Sequence, residues 1–320
     1  MRCCVLWIAL VACTTPSKGG LATPEPSVDT GDTEPTEPTE PTEPTEPTEP
    51  TGPTADTGAT TPEPVLVSVS HDREMRGVWV ATVFNINWPK SQGLSPADGQ
   101  AELRALLDVC QESGLNAVFF QVRPEADAMY ESSLEPWSRY LSGSQGGDPG
   151  WDPLETLLVE AHARGIEVHA WMNPYRAKAS SSSTAASNHQ SVVNSQYAYR
   201  YGATVWLDPG APPVQDHLED VIVDLVSRYD VDGVHFDDYF YPYPDGTAFS
   251  DSATYAAYGG GMSLADWRRD NVNQMMRRVS EAIAAVDPDV RFGISPFGIY
   301  RPGQPTGITG LDQYAELYAD

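Results

Sequence analysis

Five times between residues 75 and 298 a short apolar run is followed by a longer run or by the chain's last stretch, and this alternation leaves few folds open. The short runs are MRGVWVAT (75–82), NAVFFQV (116–122), IEVHAWMN (166–173), DGVHFDD (232–238) and VRFGISPFG (290–298). Amphipathic segments lie between them: AELRALLDVCQESG (101–114), closed by Gly114, and DPLETLLVEAHARG (152–165), with Asp152 and Pro153 placed as cap and first turn. A Ser-rich loop and the VWLD stretch precede VQDHLEDVIVDLVSRY (214–229), and SLADWRRDNVNQMMRRVSEAIAAV (263–286) precedes the last strand. The strand runs are apolar enough to be buried on both faces, as parallel strands covered by helices must be. Their polar residues sit where the strands end: Gln121 and Arg123, Asn173, Asp237 and Asp238, Ser295. In an α/β fold of the (β/α)8 TIM barrel type those ends share one mouth, where active sites form. A doubly wound open sheet would call for a Gly-rich phosphate loop after the first strand, and none is there. The count is short, because five units cannot close eight strands. Either three strands lie outside this chain or the count is wrong, and LDQYAELYAD reads as a fifth helix beginning to form.

The first residues are of a different kind. MRCCVLWIALVAC holds nine apolar residues from Cys4 to Ala12, too few to span a bilayer but enough for an export signal. Leu10, Val11, Ala12 and Cys13 resemble a bacterial lipoprotein cleavage box, so residues 1–13 read as a signal segment with Cys13 as the lipidated residue. The chain is then expected to be exported and held at the cell envelope by lipid alone. Residues 14–64 carry TEP six times from Thr33 to Pro50, a composition that suits an extended, solvated linker. Residues 65–320 form the globular domain, in which Cys110 is the one cysteine left; it reads as a buried thiol. A formal net charge of -26 argues against nucleic acid and against an anionic membrane face as partners. Nothing in the sequence specifies an oligomeric state.

The stretch DGVHFDDYFYPYP (232–244) concentrates the chemistry. Side chains alternate along a strand, so Gly233, His235 and Asp237 share one side, and in a barrel that side is expected to face inward. Glycoside hydrolysis needs two carboxyl groups, one to donate a proton and one to attack the sugar or activate water. Asp237 is the choice for the attacking or stabilising carboxylate; Asp238 can orient it, raise its pKa or take a second role. Tyr239, Phe240, Tyr241 and Tyr243 follow directly, and Trp171, Tyr175 and Trp206 sit near other mouth elements, where rings can stack on the apolar faces of sugars. The same rings can equally pack a loop core.

Other residues add to this constellation. Arg123 can clamp substrate from QVRPEADAMY, and Asp127 can be the proton donor or a sugar ligand; a loop salt bridge is the plainer reading. His169, Trp171 and Asn173 share a strand face beside Gln121, although an inward histidine is often a satisfied core residue. His169, His235 and Asp237 can be imagined as metal ligands of a metal-dependent polysaccharide hydrolase or deacetylase. No HxH or HExxH spacing supports that, so no cofactor or metal is expected. A carbohydrate-binding or envelope-structural protein on a degenerate barrel is the third alternative.

The phrases REMRGVWVATVFNINWP (73–89), GLNAVFFQVRPEADAMYESSLEPWSRYLSG (114–143), DPLETLLVEAHARGIEVHAWMNPYR (152–176), WLDPG (206–210), DGVHFDDYFYP (232–242) and FGISPFGIYRPG (292–303) resemble the glycosyl-hydrolase-like 10 family of bacterial lipoproteins. The resemblance covers about residues 71–318. It implies a barrel of glycosidase ancestry acting on envelope or extracellular polysaccharide; one family member cleaves peptidoglycan glycan strands whose stem peptides have been removed. The family is distantly similar to α-amylase type barrels, whose nucleophile follows a Gly and an Arg at alternate positions. Gly233, His235 and Asp237 stand in those places, with His235 departing from the Arg. Glu125 replaces the family's usual Gly, and FGISPFG offers Ser295 but no Glu. The proton donor is then Asp127 or Asp238, or it belongs to a segment beyond this chain.

Overall fold

The computed structural model describes residues 74–320, so Cys13 and the Thr-Glu-Pro linker lie outside the described residues. Strand β1 (Gly77–Val80) leads through a loop into helix α1 (Pro96–Glu112). The helix starts where Ser95 accepts the Asp98 N–H and Pro96 presets the first turn. Strand β2 (Ala117–Arg123) is followed by the single turn α2 (Arg139–Ser142) and by α3 (Pro153–His162), capped by Asp152. After β3 (Glu167–Met172) come β4 (Arg176–Lys178), the turn α4 (Gln190–Val193), β5 (Ala198–Tyr201) and β6 (Thr204–Leu207). Helix α5 (Pro212–Arg228), β7 (Gly233–Phe236), α6 (Ser252–Tyr258), α7 (Leu264–Val286), β8 (Arg291–Ile294) and the turn α8 (Gln313–Glu316) complete the order.

Strands β1, β2, β3, β7 and β8 form one wholly parallel sheet in that order. It is the five-unit part of a (β/α)8 barrel, and the five strands match those expected from the sequence. Alternation decides which side chains face the helices. Val80, Val118, Phe120, Val122, Val168, Ala170, Met172, Val234 and Phe236 are all buried, as is Leu103, Leu107, Leu154, Leu157, Leu218 and Ile222 from the helices. The other face of the sheet carries Trp79, Phe119, His169, Trp171 and His235 in mutual ring contact. Two strand glycines make room for the imidazoles. A Cβ on Gly233 would lie 2.4 Å from His169 Nδ1, and one on Gly293 would lie 2.6 Å from His235 Nδ1. Each histidine ring therefore lies over the neighbouring strand.

The Ser-rich loop with its VWLD stretch proves more ordered than the sequence reading expected. Strands β4, β6 and β5 make a second, antiparallel sheet, with β5 and β6 joined as a hairpin across Gly202 at φ 56. The signal was present in AYRYGATVWL, an aromatic and β-branched alternation around a turn glycine. Helix α6 also went unread, because SATYAAY is short and lacks a strong apolar period. Cys110 is buried as expected, with burial pushing its thiol up. Among the described residues no helix is long and apolar enough to cross a membrane.

Candidate active site

Asp237 follows the last residue of β7 and is 7% exposed. Its Oδ2 accepts the Trp171 indole N–H at 2.9 Å and a short hydrogen bond from Asn173 Nδ2; its Oδ1 accepts the Tyr239 amide at 3.1 Å. All three donors are neutral. Burial pushes the carboxyl up to about 6, against the pull of the Arg176 guanidinium and the Trp171 N–H.

The orientation of Asn173 is forced from a distance. The amides of Thr82 and Val83 both donate to Gln121 Oε1 at 2.9 Å, so Gln121 Nε2 must face Asn173 Oδ1, which it reaches at 2.6 Å. Arg176 adds a second donor to the same oxygen at 2.7 Å. Asn173 is left with its Nδ2 toward Asp237. A one-way chain of donors thus runs from the backbone after β1 through β2 and β3 to the carboxylate at β7.

Asp238 is half-buried, raised by burial, and accepts a short hydrogen bond from the Tyr243 hydroxyl. Around the pair, the Arg176 guanidinium lies 5.3 Å over the Tyr239 ring, and Trp206 stacks with Tyr239 at 5.9 Å but is itself buried, so it packs the loop and presents no open face. His235 shares a 2.9 Å hydrogen bond with the exposed Ser295, and burial, then His169, lowers its imidazole to about 4. It is neutral at any ordinary pH. His169 instead contacts Glu167 at 3.3 Å. Among the described residues no three His, Cys, Asp or Glu side chains are grouped to hold a metal ion, so His169, His235 and Asp237 do not form a ligand set.

Four of the expected site residues are placed otherwise. Arg123 is fully buried and spends its donors within the protein, on both oxygens of Glu135 at 2.6 and 2.8 Å and on the carbonyls of Asn173 and Pro174. It braces the mouth from behind and presents no donor outward. Asp127 is equally buried, accepting Gln145 Nε2 and the Glu125 amide, with burial and then Glu125 raising it to about 7. Glu125 itself is buried and bound to Arg139 and the Ala179 amide. Tyr175 is closed off from solvent, and Tyr241 lies beneath Arg268 with its hydroxyl accepting from Asn271. Long range partners, invisible in a local reading, put these groups inside. Arg176, which the sequence reading passed over, joins Asn173, Pro124 and Tyr239 at the mouth. Its position in NPYR, directly after the polar end of β3, was the available signal.

Comparison with known proteins adds a family. The profile described as "Glycosyl hydrolase-like 10" matches residues 74–320. "Glycosyl hydrolase YngK" of Bacillus subtilis (strain 168) is 43% identical over 267 residues, which is 80% of this chain and 52% of that protein. "Glycosyl hydrolase DigH" of Escherichia coli (strain K12) is 39% identical over 280 residues, 81% of this chain and 64% of that protein. The chain thus spans between about half and two thirds of the length of these curated relatives. Among solved structures, "Alpha-L-fucosidase isoenzyme 2 from Paenibacillus thiaminolyticus" aligns with a TM-score of 0.49 at 13% identity, over 73% of this chain and 34% of that one.

Proposed function

The chain belongs to the glycosyl hydrolase-like 10 family, and from that premise we propose that it hydrolyses glycosidic bonds in a polysaccharide of the cell envelope, with peptide-free peptidoglycan glycan strands as substrate. The observation that carries the reading is the Asp237 carboxylate, held at the end of β7 by three neutral donors with no cation bonded to it. Raised to about 6, it is mostly ionised at neutral pH yet desolvated, which suits a group that attacks or stabilises a developing oxocarbenium centre.

Asp238 takes the proton-donor role. Its carboxyl is half-buried, raised by burial and next to Asp237, whereas Asp127 is enclosed by its own loop. Tyr239, half-buried and backed by the buried Trp206, supplies a ring against which a sugar can lie, and Arg176 holds both Asn173 and Tyr239 in place.

Digestion of amidase-treated peptidoglycan, with products separated by mass, tests the reading. The full chain is expected to release short saccharides, and Asp237→Asn and Asp238→Asn are each expected to lose roughly a hundredfold or more of that activity while unfolding cooperatively. Full activity in both variants would end the paired-carboxylate assignment. A folded wild type that releases nothing would remove this glycan as the substrate.

A further inference from the structure

The loop that follows β1 spends backbone conformation on displaying a ring. Phe84 has φ 54 and ψ 19, and Asn85 has φ 54, so two successive residues with side chains occupy the left-handed region. Such a pair persists only when its surroundings impose it. Here Asn85 Nδ2 donates to the Tyr140 carbonyl at 2.9 Å, the Asn85 amide donates to Thr82 O at 2.9 Å, and Ala81 and Asn87 exchange bonds at 2.8 and 2.9 Å. The Thr82 hydroxyl ties the loop to the Gln121 carbonyl at 2.9 Å. Every one of these bonds could hold the loop with a polar residue or glycine at position 84. Instead the position carries a phenyl ring that is 60% exposed, its edge toward Tyr140 at a centroid distance of 6.0 Å.

Place matters as much as strain. In a parallel sheet the loop after β1 lies at the same end as Asp237 after β7. The connection is also direct, since the Val83 amide, next to Phe84, is two side chains from the carboxylate through Gln121 and Asn173.

The geometry points to Phe84 as the platform of a separate sugar subsite, on which a pyranose ring of the polysaccharide stacks its apolar face away from the bond being cleaved. The assignment rests on the glycan reading of Asp237 and names a second place where the same substrate is held. Stacking of this kind is sequence-remote from the DGVHFDDYFYPYP cluster and is offered by β1, the strand on the far side of β2 and β3.

The test is binding of amidase-treated, peptide-free glycan strands to the full chain carrying Asp237→Asn, which keeps the ligand intact. Adding Phe84→Asn removes the ring while retaining a residue that tolerates left-handed backbone, and Phe84→Trp keeps a ring. The expected result is a loss of affinity of about three- to tenfold for Phe84→Asn, none for Phe84→Trp, and a melting temperature for Phe84→Asn equal to or above that of its parent. Equal affinity for Phe84→Asn and the parent would overturn the subsite. So would a fall in melting temperature that accompanies the loss, since that marks a packing residue. If the parent binds no glycan strands at all, the glycan reading itself falls and takes the subsite with it, an outcome distinct from the other two.

Discussion

Two buried carboxylates, Glu135 and Asp237, are treated in opposite ways. Burial alone would raise both. Glu135 receives both arms of the Arg123 guanidinium and the His217 ring at 3.1 Å, and these outweigh burial to bring it down to about 2. Asp237 receives three neutral N–H groups, with Arg176 acting on it only from Asn173's far side, and stays up at about 6. The two groups belong to one connected structure, because Arg123 also donates to the backbone of Asn173, whose side chain holds Asp237. A compensated charge serves the frame, and an uncompensated one is kept for chemistry.

The largest expected effect separates them. Glu135→Gln leaves the Arg123 guanidinium buried without its counter-charge, which costs about 3–5 kcal/mol and should be plain in a urea titration. Asp237→Asn, by contrast, should cost clearly less, since it removes a charge that opposes folding at neutral pH and leaves only part of the three-donor set without an acceptor. If Glu135→Gln unfolds at the same urea concentration as wild type, the frame role is wrong; if Asp237→Asn is the more destabilised of the two, the contrast is inverted.

A smaller effect sharpens the account of Asp237. Trp171→Phe keeps an aromatic ring beside Trp79 and removes one N–H from Asp237 Oδ2. The carboxyl should rise further, so the acid limb of the kcat/KM profile on peptide-free glycan strands should move to higher pH by up to about one unit, the worth of one hydrogen bond to a charged group. A limb that stays in place would mean that another group sets it.

How far the sequence exposed these features depends on the range of the interactions. All five parallel strands and the helices α1, α3, α5 and α7 were readable, because apolar period and caps such as Asp152 and Ser263 are local. Asp237 stood out through its adjacent Asp238 and the rings that follow. Asp127 and Arg123 could not be told from mouth residues by spacing, since what closes them in is Gln145 in one case and Glu135 twelve residues on in the other. Arg176 and the left-handed pair at Phe84 and Asn85 were missed for a related reason. A single Arg or Phe in an otherwise ordinary phrase gives no local sign of its partners, and φ is not written in residue type unless glycine marks it.

The last expected effect is on the pH dependence of stability, where the two kinds of carboxylate pull in opposite directions. Glu135 is lowered from 4.5 to about 2, so its contribution is fully present above about pH 4.5 and is lost as pH falls toward 2. Asp237, Asp208 and Asp127 are raised from 3.8, to about 6, about 6 and about 7, in each case chiefly by burial. The folded state binds protons more tightly than the unfolded one at these three, so their contribution is present below about pH 4 and is lost as pH rises through 6 and 7. The buried imidazoles of His235 and His189 pull the other way over the same span, since both are lowered from 6.5 by burial and favour folding increasingly as pH rises toward that value. Urea midpoints measured from pH 3 to pH 8 for wild type and for Asp237→Asn isolate the share that Asp237 contributes to the curve. Asp237→Asn should flatten the alkaline side of that curve without touching the acid side; a variant that changes the acid side instead would show that Asp237 is compensated as fully as Glu135, and the distinction between frame and site would not hold.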